Sequence, residues 1–358
     1  MKKILYLMGI DWYWIKQRPQ IIAEYLNKDF DITVVYVKEI FQKQSLRANK
    51  DELPKSIAVP IIPYRDKNKI AFGIQNVLFH NIKKQVNDYD IIWIGHPLLY
   101  RYIPNTFRGK LVYDCMDNHE ALCNDKKIRA TIHETEGKLI NDADLIFASS
   151  LGLKKKIEQK CLMKKHEKVI LIRNGVTFDK IHIPQNQNYK EKEKVKIGYF
   201  GTISEWFDFS VIEKSLKENS NIEYYLWGPT SRSDLQKNER IKFKGVIEHH
   251  CLWEKIKNMD CLIMPFKINE IIEDVDPVKL YEYISMGKPI ISVYYDEIER
   301  FDPYVYFYST ACQYCNVLEK IINCEAGCKY DKDMQKKFLQ DNTWDVRYQE
   351  MKKYVKVL

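Results

Sequence analysis

The chain of 358 residues lacks the features that mark several common protein classes. No apolar run approaches the roughly 18 residues that a membrane-spanning helix requires. Neither G-x-G-x-x-G nor G-x-x-x-x-G-K followed by Ser or Thr occurs, which disfavours a dinucleotide-dependent oxidoreductase and a P-loop enzyme. The sequence shows no recognised nucleic-acid motif, so we expect no nucleic acid among its partners.

The first residues, MKKILYLMGIDWYW, carry two lysines and a short apolar run but no small-residue cleavage site. We therefore expect a buried first strand and a cytoplasmic protein. Nine cysteines are scattered along the chain, and most lie in apolar contexts typical of reduced core thiols. A zinc site is conceivable in the cluster Cys312, Cys315, Cys324 and Cys328, but the spacing favours free thiols.

The positive charge is concentrated in the first half of the chain. Residues 1–180 hold 31 Lys and Arg against 21 Asp and Glu, a net charge of +10, whereas residues 181–358 carry −2. A solvated basic surface is the ordinary interpretation, with much of the charge in the segment 153–168. The alternative is that this half faces an anionic membrane surface or a phosphorylated acceptor.

Short apolar runs alternate with helical stretches in both halves, which predicts an α/β protein with doubly wound parallel sheets. Strands are predicted at 4–9, 31–37, 57–63, 90–95, 110–116, 144–150, 168–175, 195–201, 222–228, 241–245, 260–266 and 289–295. Helices are predicted at 18–28, 70–86, 207–219, 249–258 and 342–355. The charged segment 188–196 predicts a linker, which gives domains at 1–187 and 188–341 and a terminal helix at 342–358 that braces the first.

The segment DVDPVKLYEYISMGKPII, residues 274–291, combines residues that start and end helices with charged residues. Asp276 and Pro277 predict a helix start with Asp276 as its cap, and Gly287 predicts its end. Lys279 and Glu282 lie three residues apart on one face. A lysine in the first turn is unfavourable unless an anion binds there, and Glu282 suits the vicinal diol of a ribose. A nucleotide site and a surface ion pair both remain open.

The sequence resembles the GT-B glycosyltransferases, especially family-4-like bacterial enzymes of surface polysaccharide assembly. PVKLYEYISMGKPII, after DCLIMPF, is similar to their nucleotide-sugar segment. WIKQRPQIIAEYL and VYDCMDNHEAL resemble a subgroup that includes teichuronic acid glycosyltransferases; IRNGV, IGYFGTISEWFD and NTWDVRYQEM match further family segments in order. The resemblance implies two Rossmann-like domains facing across a cleft and a UDP- or GDP-linked sugar as substrate, with no cofactor. It also implies a lipid-linked surface glycan as acceptor.

The resemblance implies roles for residues of the second half. Glu282 would bind the ribose, and Lys279 with the backbone at Gly201 and Thr202 would hold the diphosphate. Backbone near Val246 would meet the base. Asp274 stands where many family members have Glu, which puts in doubt its contact to the donor sugar.

Residues beyond strand ends of the first half are candidates for catalysis and acceptor binding. Asp117 follows the strand at 110–116 and is the expected base for the acceptor hydroxyl, with helix capping as the alternative. His96 follows the strand at 90–95 and would touch the sugar or diphosphate, or else satisfy a loop carbonyl. In the first loop, Asp11, Trp14 and Arg18 suit a carbohydrate or lipid-phosphate acceptor. The alternative is that at least one tryptophan of this loop packs in the core.

Three other interpretations remain. Asp274-Val275-Asp276 is a D-x-D, which in GT-A glycosyltransferases binds a metal–diphosphate complex, although Asp276 is better used as a cap. A nucleotide-sugar epimerase would share the fold and release sugar without an acceptor. A non-catalytic binding module would bind nucleotide without turnover.

Overall fold

The computed structural model describes residues 1–39, 53–161, 166–177, 193–230, 238–247 and 251–358. Two compact units result: Met1–Arg173 together with Arg347–Leu358, and Asn174–Val346. The second unit begins ahead of the predicted boundary at 187/188. Residues 188–192 of the predicted linker and 162–165 of the basic segment lie outside the described residues.

The first unit contains a seven-stranded sheet in the part of the chain that the structure describes, with the order β3-β2-β1-β4-β5-β6-β7. Its strands are β1 (Lys3–Met8), β2 (Asp31–Glu39), β3 (Ser56–Ile61), β4 (Ile91–Ile94), β5 (Lys110–Cys115), β6 (Leu145–Ala148) and β7 (Val169–Leu171). Its helices are α1 (Arg18–Leu26), α2 (Lys69–Leu78), α3 (His80–Gln85), α4 (Lys126–Asp142) and α5 (Leu151–Lys160).

The second unit contains a six-stranded sheet, again within the described residues, with the order β10-β9-β8-β11-β12-β13. Its strands are β8 (Val195–Phe200), β9 (Ile222–Trp227), β10 (Ile241–Phe243), β11 (Cys261–Met264), β12 (Ile290–Val293) and β13 (Tyr306–Tyr308). Its helices are α6 (Phe209–Glu218), α7 (Leu252–Ile256), α8 (Val278–Ser285), α9 (Ala311–Ile322) and α10 (Lys332–Asp341), and α11 (Trp344–Val357) follows.

Neighbouring strands of both sheets pair in parallel. The buried strands β4, β6, β11 and β12 expose no residue, because helices cover both faces of a parallel sheet. The predicted fold class is therefore confirmed. Strand order reverses between β1 and β4 in the first unit and between β8 and β11 in the second. Ligands of open α/β sheets bind beyond the carboxyl ends of strands at such points.

Arg18 joins α1 to the sheet instead of facing an acceptor. Its guanidinium donates to Asp114 at 2.8 Å from Nη2 and to the Ile172 carbonyl at 2.8 Å from Nη1. Both side chains are almost fully buried. The prediction that Arg18 presents an exposed charge to an acceptor is wrong, because the charge is needed to neutralise a carboxylate inside β5.

The C-terminal helix belongs with the first unit from Arg347 onward. Tyr348 donates to Asp29 at 2.7 Å and Lys352 donates to the same carboxylate at 2.6 Å, which lowers the pKa of Asp29. Across the described ranges, every helix is too short or too polar to cross a membrane.

We expect Arg18→Met to lower the free energy of unfolding by about 3–5 kcal/mol, because Asp114 would remain as an unpaired buried charge. Urea unfolding measures this change. Arg18→Met combined with Asp114→Asn should recover part of the loss. Lys16→Met, which breaks the exposed pair with Glu24, is the control and should change stability by less than about 1 kcal/mol. An equal effect of the two single substitutions would contradict the role of the buried pair.

Candidate functional site

Lys279 lies across the carboxyl end of β8, directly over Gly201. A Cβ at Gly201 would fall 1.9 Å from Lys279 Cε and 2.7 Å from Nζ, so any side chain there would collide with the lysine. The φ of Gly201 is +136°, which other residues rarely adopt. The φ value favours glycine at this position, and the absence of a Cβ leaves the space that the end of the Lys279 side chain occupies.

Two further glycines extend this edge. A Cβ at Gly228, after β9, would lie 1.9 Å from the Gly201 carbonyl oxygen, and Gly228 has a φ of +142°. Gly228 donates its N–H to the Gly245 carbonyl at 2.8 Å, and Gly201 donates to the Trp227 carbonyl at 2.8 Å. The ends of β8, β9 and β10 thus form a ledge of bare backbone. Val246, the predicted base-side residue, follows Gly245 and is exposed.

Lys279 and Glu282 occupy the partly exposed face of α8, whereas Leu280, Tyr281 and Tyr283 are buried. Burial lowers the pKa of Lys279, and the Glu282 carboxylate acts in the opposite direction. Among the described residues, no carboxylate lies within ion-pair distance of Lys279, so the expected surface ion pair is not formed. Lys279 Nζ instead lies 5.9 Å from the centre of the Phe266 ring.

Asp276 does not cap α8, and that prediction is wrong. The N-cap residue is Pro277, which has no side-chain acceptor. The buried Asp276 carboxylate pairs with Arg300 and accepts hydrogen bonds from Tyr281 Oη at 3.1 Å and from the Asn174 N–H at 2.6 Å. The predicted helix end is confirmed, because Gly287 follows the C-cap with a φ of +61°.

The engagement of Asp276 also bears on the D-x-D interpretation. Its carboxylate is occupied by Arg300, so it is not disposed as a metal ligand. Asp274 is buried at the end of a 3-10 turn, Ile272–Asp274. Within the described residues, no three His, Cys, Asp or Glu side chains are grouped to hold a metal ion, and this includes the four cysteines from Cys312 to Cys328.

Asp117 lies just beyond β5 in the first unit. Burial raises the pKa of Asp117 to about 7, although the Arg18 guanidinium acts in the opposite direction. The alternative role as a helix cap is wrong, because Asp125 caps α4 and accepts from the N–H groups of Lys127 and Ile128. A carboxyl with a pKa near neutrality at a strand end suits proton transfer.

The rings of His96 and His119 lie in contact with centres 4.4 Å apart, and the His119 N–H donates to the Asp117 carbonyl at 3.0 Å. A Cβ at Gly9, after β1, would lie 2.5 Å from His96 Cβ, so the three strand ends approach closely. His96 Nδ1 accepts the Leu98 N–H at 3.2 Å, rather than serving a carbonyl. Burial lowers the pKa of His119 to about 4 and that of His96 well below its usual value, so both rings are neutral at pH 7.

The first loop is less exposed than its sequence suggests. Asp11 is buried and accepts the Tyr13 N–H at 3.0 Å, so it stabilises the loop itself. Trp12 is fully buried, which confirms core packing for one tryptophan, and Trp14 is half-buried. Of the three predicted acceptor residues, only Trp14 keeps a partly exposed side chain.

The chain is similar in sequence to a Bacillus subtilis protein, TuaH, provisionally assigned as a glycosyltransferase of teichuronic acid biosynthesis. The two are 24% identical over 68% of this chain and 66% of the relative, so the match spans slightly less than two thirds of the relative's length. No protein-family model matches the chain.

Solved structures match the chain over nearly its whole length. Sucrose-phosphate synthase from Thermosynechococcus elongatus matches with a TM-score of 0.73 and 12% identity over 99% of this chain and 98% of that one. Anabaena HepE in complex with UDP-glucose matches with a TM-score of 0.71 and 14% identity over the full length of both chains. The chain has the GT-B fold.

Sequence reasoning missed two residues of the candidate site, Gly228 and Gly245. The two glycines carried a signal, since each directly follows an apolar strand as Gly201 does. His119 follows the predicted strand at 110–116, as Asp117 does, and was noticed for that position, but only the fold shows its contact with His96. Its Nε2 is buried and has no hydrogen-bond partner among the described residues.

We expect Gly201→Ala to destabilise the protein by about 1–3 kcal/mol and to displace Lys279, because the new Cβ would meet both a strained φ and the lysine side chain. Urea unfolding measures the first effect. Gly137→Ala is the control, since its Cβ would meet nothing within 4 Å and α4 should gain up to about 1 kcal/mol. A Gly201→Ala protein as stable as the wild type would show that the close contact is not a constraint.

Proposed function

We propose that the chain is a glycosyltransferase that moves a hexosyl group from a nucleoside-diphosphate sugar to an acceptor hydroxyl. The observation that carries this proposal is the half-buried Lys279 laid over Gly201 at the start of an uncapped helix. The sequence similarity to the Bacillus subtilis protein and the fold shared with HepE support the same reaction class.

The donor would bind along the ledge of bare backbone and the first turns of α8. The diphosphate would accept hydrogen bonds from Lys279 Nζ, the Thr202 N–H and the free N–H groups at the start of α8. Glu282, one turn further, would accept from the ribose hydroxyls, and the base would lie near the backbone at Val246. The UDP-glucose complex of HepE favours uridine over guanosine as the base.

The leaving diphosphate is stabilised by charge that the protein holds in place. As the bond from the anomeric carbon to the diphosphate oxygen breaks, its electron pair stays with the diphosphate, where Lys279 and the helix N-terminus oppose the growing negative charge. We propose on this basis that the reaction needs no resident metal and no cofactor. Asp274 would contact the sugar only through a shift of its buried turn.

The acceptor hydroxyl must lose its proton to a base. Asp117 is the proposed base, since burial raises its pKa to about 7 and the carboxyl is therefore ionised above neutral pH. His96 would then act by hydrogen bonding to the sugar or phosphate rather than as a charge. The acceptor would be a lipid-linked glycan intermediate at the cytoplasmic face of a membrane, with the basic first half toward the lipid.

We expect UDP to stabilise the wild type most among UDP, GDP, ADP and CDP. At about a hundred times its dissociation constant, a nucleotide should raise the free energy of unfolding by roughly 2.7 kcal/mol and shift the melt by a few degrees. Glu282→Ala and Lys279→Met should each weaken binding, by roughly 10- to 100-fold for the lysine. Glu319→Ala, on an exposed face of α9, is the control. Failure of every nucleotide to stabilise the wild type would contradict the proposed donor site.

We expect kcat/KM for transfer to rise with pH through about 7 and then level, because Asp117 must be ionised to accept the proton. Asp117→Asn should lower kcat by about 10²–10⁴-fold, and Asp88→Asn, which changes an exposed carboxylate, should not.

The folded state holds the Asp117 proton more tightly than the unfolded chain does, so this group costs stability as pH rises from about 4 to 7. Asp117→Asn should therefore gain stability over the wild type with rising pH. UDP release without any acceptor would favour the epimerase.

A further inference from the structure

The apolar face of helix α2 points away from the core. Ile70, Ile74 and Val77 follow the helical spacing of one face, and their exposed fractions are 76%, 49% and 72%. Leu78 adjoins them and is also exposed. These four residues form the outward stripe. A surface helix ordinarily turns such a stripe toward the core, so its exposure requires an explanation.

The inner face of α2 shows how this orientation is fixed. The one buried residue of the helix is polar: Gln75 accepts the Ile62 N–H at 2.8 Å and donates to the Pro60 carbonyl at 3.1 Å. The amide therefore completes the hydrogen bonding at the end of the edge strand β3. Phe72 packs beside it, with its ring stacked 5.8 Å from that of Tyr102. These contacts hold the outward stripe away from the core.

The chain segment that carries the outward stripe has charge of one sign, although Lys67 pairs with Asp125 from outside the segment. Residues 67–87 contain four lysines and no Asp or Glu. Lys69 and Lys84 are exposed, and neither forms an ion pair within the described ranges. An apolar helical face flanked by lysines is the arrangement of helices that lie in the plane of a membrane interface. Each lysine near an anionic lipid surface adds to the attraction.

A second copy of the chain is the other occupant to weigh. A twofold interface places the same surface on both subunits, so the lysines of one copy would meet those of the other. No acidic residue lies in 67–87 to relieve that repulsion. An anionic lipid bilayer supplies both the apolar layer and the opposite charge.

We propose that the outward stripe of α2, with Lys69 and Lys84, docks the protein onto an anionic bilayer surface. The apolar side chains enter the boundary between headgroups and acyl chains, and the lysines bind the lipid phosphates. This inference locates the membrane contact proposed above on one helix, and it does not depend on the donor site or on turnover.

The test is co-sedimentation with vesicles of phosphatidylcholine, with and without about 30% phosphatidylglycerol. The wild type should bind the anionic vesicles, and more weakly as salt rises. I70S/V77S should bind at least about tenfold more weakly. K69Q/K84Q should lose roughly fivefold for each lysine, the factor equivalent to about 1 kcal/mol, and should lose the preference for phosphatidylglycerol.

The control V346S/V357S removes two exposed valines from α11 and should bind as the wild type does. All variants should melt close to the wild type, because the changed residues are exposed. Absence of wild-type binding to the anionic vesicles, or equal binding by I70S/V77S, overturns the proposal. So does a wild-type dimer in light scattering that I70S/V77S converts to a monomer, since the stripe then faces a second copy.

UDP-dependent thermal stabilisation separates this proposal from the proposed activity. I70S/V77S should keep the UDP shift while losing vesicle binding. If the wild type binds vesicles but gains no stability from any nucleotide, the result supports the docking surface and contradicts the proposed donor site.

Discussion

The contact between the Gly201 backbone and the Lys279 side chain is the constraint on which the second unit's candidate site depends. Lys279 lies across this strand end because Gly201 carries no Cβ; a Cβ there would fall 1.9 Å from Lys279 Cε and displace the lysine. The same condition holds one strand further, where Gly228 meets the Gly201 carbonyl. Close approach of backbone to backbone thus produces a surface on which a diphosphate meets N–H groups and one ammonium rather than side-chain bulk.

The start of α8 is fixed from outside the helix. Asp276 would be an ordinary cap by its position, yet its carboxylate is bound to Arg300, Tyr281 and Asn174. The helix therefore begins at Val278, after an N-cap residue, Pro277, that offers no side-chain acceptor to the first N–H groups. Unsatisfied donors at a helix start attract an anion, and a bound diphosphate would complete the cap that Asp276 does not provide. Asp276 thus stabilises the fold, whereas the helix start that follows it is left to bind an anion.

Much of the fold follows from sequence, and the failures have physical reasons. Continuous apolar runs identified β1, β4 and β11, because parallel strands buried on both faces leave little ambiguity. Helix α4 was not predicted, because its buried face includes the polar residues Thr135 and Glu136. Glu136 is buried because Tyr113 Oη donates to it at 2.8 Å and Lys160 pairs with it at 2.8 Å, partners distant in sequence.

The same reason explains which parts of the candidate sites were predicted. Lys279 and Glu282 were found because their spacing along one helix is local information. The roles of Asp276 and Arg18 were missed because their partners, Arg300 and Asp114, are brought to them only by the fold. Charged residues that sequence reasoning assigned to capping or ligand binding are in both cases neutralised internally.

Helix α2 shows the limit of periodicity most clearly. The spacing of Ile70, Ile74 and Val77 predicts a helix, and the usual rule would place that face in the core. In α2 the polar Gln75 faces inward instead. Its amide hydrogen-bonds the Ile62 N–H and the Pro60 carbonyl at the end of β3, which an apolar side chain could not do. Two hydrogen bonds at a sheet edge thus decide which face of the helix meets the surroundings. Among the described residues nothing covers the apolar face, and the lysines beside it in the sequence favour an anionic partner.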